Sequence, residues 1–173
     1  MPPLTVTDLA HHLNMDAPPA AGTQGRVEMQ RALDAAVQEV TRMTGQPGDA
    51  PVTVPVPADR GDRALLLPYV RLASLGAVVA PDGYAVAPSS VDLRAGVVEL
   101  AAPASGGAWQ VTVTGRAWPA ALQLAALDWA THLYDTQRTV TTSVPDDDTP
   151  TPTFALPNRV EELLRPYRLP GMA

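Results

Sequence analysis

The apolar positions of this chain change period twice. Over residues 24–43, Met29, Leu33, Ala36, Val37, Val40 and Met43 recur at helical spacing and form one stripe of a 3.6-residue repeat. Arg26, Glu28, Asp34, Gln38, Glu39 and Arg42 fall mainly on the wetter side, and Gly45 stands where a helix C-cap belongs. From Pro47 the period becomes two. Val52, Val54 and Val56 alternate with Thr53 and prolines, which predicts an edge strand. Residues 64–67 and 69–75 are apolar enough for buried strands. Pro81-Asp82-Gly83 and Arg94-Ala95-Gly96 each separate two short apolar runs, and both read as hairpin turns. Trp109, Val111 and Val113 share one face of the cleanest alternation in the chain. Helical spacing returns at Trp118-Pro119, with proline in a first turn, where its missing N–H costs nothing.

Shorter elements flank these. Residues 7–13 predict a helix with Thr7 as N-cap, followed by a Pro/Gly-rich loop over 14–23. Residues 139–153 (TVTTSVPDDDTPTPT) read as a loop. A last helix, with Val160, Leu163 and Leu164 on one side, stops at Pro166, whose ring cannot continue the hydrogen-bond ladder. The pattern predicts an α+β fold with a helical core interrupted by an antiparallel β module. Residues 1–46 and 117–165 form the two parts of the core, 47–116 the insertion and 166–173 an extended C-terminal arm.

Two features point to partners. The helix over 118–138 is apolar nearly all round, and a chain of 173 residues offers little bulk to surround it. Leu122, Leu124, Leu127, Trp129, Leu133 and Tyr134 are therefore candidates for contact between subunits. The arm ends LLRPYRLPGMA, sticky for a terminus that nothing ties down. The competing readings are a strap folded back on its own core and an arm docking in trans. The second is preferred, with Arg165, Tyr167, Arg168, Leu169 and Met172 as its contacts.

Composition narrows the classes. The net charge is −6, and all twelve basic residues are arginine, a bias attributed to codon choice. A nucleic-acid grip needs a basic face, which an acidic chain does not offer. Without cysteine there is neither a disulfide framework nor a thiolate metal site. The start, MPPLTVTDLA, lacks a basic region followed by an apolar core, so no secretory signal is expected. No run approaches the ~18 apolar residues of a membrane span.

Catalytic chemistry finds no foothold. His11 and His12 point about 100° apart on a helix and cannot share a metal as i, i+4 histidines can. Asp146-Asp147-Asp148 lacks the alternating ligands and glycine of a calcium loop, and Arg60-Gly61-Asp62 reads as a turn between strands. Ser89-Ser90 sits outside any nucleophile elbow, and there is no glycine-rich phosphate loop. Trp109, Trp118 and Trp129 read as packing rather than as an aromatic pocket. No enzyme activity, cofactor or metal is expected.

The order of elements, the Met43-Thr44-Gly45 turn, the Leu67-Pro68 step, the Asp82-Gly83 hairpin, the stretch VTVTGRAWPAALQLAALDWATHLYDTQR and the closing LPNRVEELLRPYR together resemble head-to-tail connector (adaptor) proteins. These belong to long-tailed bacteriophages and related prophages, especially those of actinobacterial hosts. The resemblance implies a homo-oligomeric ring, typically of twelve copies, beneath the portal protein at the capsid vertex. It implies a stopper or tail-completion protein as a further partner, DNA passing through the lumen unheld, and no membrane. The alternatives are a tail-completion or tail-terminator ring protein and, more remotely, a small binding module unrelated to phage.

Overall fold

A computed structural model describes residues 4–142 and 156–169. The chain divides into two units. One comprises Gly45–Trp118; the other comprises Leu4–Thr44 together with the chain from Pro119 onward.

The helical unit is built from α1 (Val6–His12), α2 (Gln24–Thr44), α3 (Ala120–Thr142) and α4 (Asn158–Leu164). The apolar stripe of α2 is its buried face: Met29, Leu33, Ala36 and Val40 are at most 1% exposed. It packs on α3, which also receives α1 and α4. Thr5 rather than Thr7 caps α1, because Asp8 lies three residues on from Thr5 and closes a capping box with it. At the other end of α2, Gly45 takes the positive φ expected of a C-terminal glycine. α3 runs into the stretch read as loop: residues 139–142 are helical, while 143–153 lie outside the described residues.

The β unit holds two three-stranded antiparallel sheets. β1 (Pro51–Ala58), β3 (Ser74–Val79) and β6 (Gly107–Thr114) form the first, in the order β1-β6-β3. β2 (Ala64–Leu66), β4 (Pro88–Asp92) and β5 (Val97–Leu100) form the second, in the order β2-β5-β4. Their facing side chains make one core, with Trp109, Val111 and Val113 on the expected inner face beside Val56, Leu65, Leu72 and Val98. β1 is an edge strand, and its sequence says why it can be one. Pairing of Val52, Val54 and Val56 with Val113, Val111 and Trp109 turns Pro51, Pro55 and Pro57 toward the free side. There their missing N–H groups cost the ladder nothing and deny a foreign strand its donors.

Both glycine turns form, with Gly83 and Gly96 at positive φ. Residues 69–73 do not form the strand their apolarity suggested. Arg71 adopts a φ of 55°, which interrupts an extended run. The segment instead lies against the turn after β4, with the Arg71 and Leu72 amides donating to the Arg94 and Leu93 carbonyls. Leu72 is buried all the same, so the apolar signal reported burial, not strand.

The two chain crossings into the β unit are fastened to each other within it. The Gly115 amide donates to the Gly48 carbonyl at 3.1 Å, and the Trp118 indole N–H to the Gln46 carbonyl at 3.0 Å.

Candidate functional site

The helix read as apolar all round turns out to be the centre of its own unit. Between Ala120 and Thr136 only Ala120 and Asp135 are exposed, because α1, α2 and α4 pack around α3. This corrects the view that a chain of this size could not surround such a helix. Two short helices from opposite ends of the sequence supply the missing cover. Leu122 (0% exposed) and Tyr134 (5%) lie inside this core and have no surface to offer a neighbouring subunit. Leu124, Leu127, Trp129 and Leu133 are half-buried. Near them, Trp129 Nε1, Thr131 Oγ1 and His132 Nε2 are shielded from water without a hydrogen-bond partner. Buried polar atoms are ordinarily paired, and these three, with Asp128 Oδ2, are the shielded α3 side-chain atoms left without a hydrogen bond among the described residues.

The C-terminal arm departs from the extended segment expected. Residues Arg165–Tyr167 form a 3-10 turn with Pro166 in its first positions, where a proline needs no donor. The Leu169 amide then donates to the Met43 carbonyl at 3.1 Å, satisfying one of the orphan acceptors in the last turn of α2. Arg168 reaches Glu161 at 3.4 Å, and its Nε is buried without a partner. Up to Leu169 the arm is a strap on its own helical unit. Arg165 is exposed, Tyr167, Arg168 and Leu169 are half-buried, and Met172 lies outside the described residues.

A carboxylate that drew no notice in the sequence joins three helices. Asp128 on α3 accepts from His12 Nε2 of α1 at 2.9 Å through Oδ1, while its Oδ2 lies 3.1 Å from Arg159 Nε of α4. The only local signal was an acid set in an otherwise apolar helix. Its partners were too far along the chain to be paired with it.

On α2 the Arg42 guanidinium donates to the Glu39 carboxylate and holds its pKa below the ordinary value. Among the described residues no group of three His, Cys, Asp or Glu is placed to hold a metal, and no helix is long and apolar enough to cross a membrane. The indole N–H of Trp109 is spent on the Ser105 carbonyl, as that of Trp118 is on Gln46.

No protein-family model matches the chain, and no curated protein matches it. Solved structures do. A chain of "Neck of empty GTA particle computed with C6 symmetry" matches with a TM-score of 0.62 at 20% identity, over 98% of this chain and 93% of that one. A chain of "Virion of native gene transfer agent (GTA) particle" gives 0.61 at 20% identity, over 95% and 89%. One from "Neck of native GTA particle computed with C12 symmetry" gives 0.54 at 20% identity, over 84% and 86%. Nearly end to end, this chain has the fold of chains found in the particles of a gene transfer agent, two of them in its neck.

Proposed function

We propose that the chain is a structural protein of the neck of a phage-like particle, forming the adaptor ring that joins capsid to tail beneath the portal. The observation that carries this reading is the fold it shares, over 98% of its length, with a chain of a gene transfer agent neck. Sixfold and twelvefold particle symmetry both accommodate twelve copies in one ring. The role is mechanical and asks for no catalytic residue or cofactor. A net charge of −6 suits a lumen through which DNA slides without sticking.

Subunit contacts in this ring use Leu124, Leu127, Trp129 and Leu133, the half-buried members of α3. The portal contact uses the exposed Arg165, the half-buried Tyr167 and Met172. A stopper or tail-completion protein is the further partner of the ring.

Negative-stain imaging and mass photometry of the purified protein, alone and mixed with portal, test the reading. Closed rings of twelve that stack on portal are expected. A chain that stays monomeric at every concentration and ignores portal would overturn it. Rings that bind tail tube instead of portal would establish the tail-terminator alternative.

A further inference from the structure

α1 and α4 are seven residues each, well short of the roughly 12–15 at which an isolated helix becomes marginal in water. Both exist because they dock. Leu9 and Ala10 bury one, Val160 and Leu164 the other, all at 0% exposure. The polar contacts that accompany this burial converge on a single group. His12 is the last residue of α1 and Arg159 the second of α4, so each stands at a helix end, where fraying begins.

We propose that Asp128 is a shared clasp: one carboxylate holds both terminal helices on α3, and loss of its charge frees α1, α4 and the strap together. Both contacts stand at once because each partner has its own oxygen: Oδ1 takes the His12 hydrogen bond, while the shielded Oδ2 has no hydrogen bond and is met by the Arg159 charge alone. The side chain of Asp128 is only 15% exposed, against 26% for His12 and 69% for Arg159. Its charge is thus largely withdrawn from water, a position that partners must compensate. Each partner holds the carboxylate oriented for the other, and that makes the coupling reciprocal. The carboxylate can only accept, so His12 Nε2 carries the hydrogen in this contact.

The consequence extends past α4. That helix leads directly into the 3-10 turn Arg165–Tyr167, and Leu169 then caps the end of α2. An α4 that lifts from α3 carries this cap with it. Both ends of the helical unit therefore answer to one side chain.

Hydrogen exchange measured by mass spectrometry on the full chain tests the clasp. Asp128→Asn keeps the shape but removes the charge and sets an amide donor against one of two donors. Exchange in α1 and in 160–169 should accelerate together by about tenfold, with α2 before its last turn unchanged. Acceleration confined to one terminal helix, or absent from both, overturns the proposal. Should Asp128→Asn fail to fold, the more exposed partners decide. His12→Gln should raise exchange in α4, and Arg159→Gln in α1, by about twofold or more. Unchanged exchange in the opposite helix in both variants overturns it equally.

Discussion

Gly115→Ala is the sharpest single test of how the β unit is closed. A Cβ at this position would lie 1.8 Å from the Pro47 carbonyl oxygen and 2.8 Å from that of Gly48. Real Cβ contacts do not fall below 3.0 Å, so the Pro47 carbonyl must retreat by more than an ångström. What it meets is backbone, which cannot rotate away as a flexible side chain could. The retreat breaks the Gly115 to Gly48 hydrogen bond and strains the neighbouring Trp118 to Gln46 bond. Losing the first and weakening the second costs about 1–2 kcal/mol together. Displaced packing brings the expected loss to about 3–5 kcal/mol, within the range of severe backbone substitutions. For a chain of this size that lowers the melting temperature by roughly 6–20 °C. Differential scanning calorimetry reads the shift, and Gly25→Ala is the control. Gly25 lies in α2 with only ordinary contacts, the nearest 3.7 Å away on Pro19. Alanine there should stabilise by about 0.4–1 kcal/mol. A Gly115→Ala protein melting within about 2 °C of the parent would refute the reasoning.

Three further outcomes follow from particular contacts. Gly45–Trp118 expressed alone should fold, since its core is internal and its ends are pinned by their own hydrogen bonds; an exchange-broadened proton spectrum without dispersed amides would count against this. Deletion of residues 170–173 should leave the melting temperature unchanged yet weaken attachment to portal. Deletion from Tyr167 onward should also destabilise the helical unit, because the Leu169 cap on Met43 is lost; equal melting of the two truncations would remove the strap from the account. Glu39→Gln should lower stability at pH 7 by less than about 1 kcal/mol, its partner Arg42 being well exposed. The Glu39 pKa is depressed in the folded state, so its contribution is present above the ordinary value of 4.5 and fades as pH falls through the lower folded value. Thermal melts of parent and variant should therefore converge on acidification, and a gap that persists at low pH would show that the substitution acts otherwise.

Local pattern alone determined much of this protein. The stripe of α2, the alternation of Trp109, Val111 and Val113, the turns at Gly83 and Gly96 and the edge position of the proline-bearing β1 are all written within a few residues of one another. Each depends on which way neighbouring side chains point, and that is fixed by helix or strand period. What covers an apolar face is a different matter. The all-apolar α3 looked in need of other subunits, and only the tertiary structure showed α1 and α4 arriving from the two ends of the chain to cover it. The same holds for the strap, where Leu169 finds Met43, and for Asp128, whose partners His12 and Arg159 stand in no motif with it. Periodicity says that a surface must be buried. The choice among all the segments that could bury it rests on loop closure and packing over the whole chain, which no local window contains.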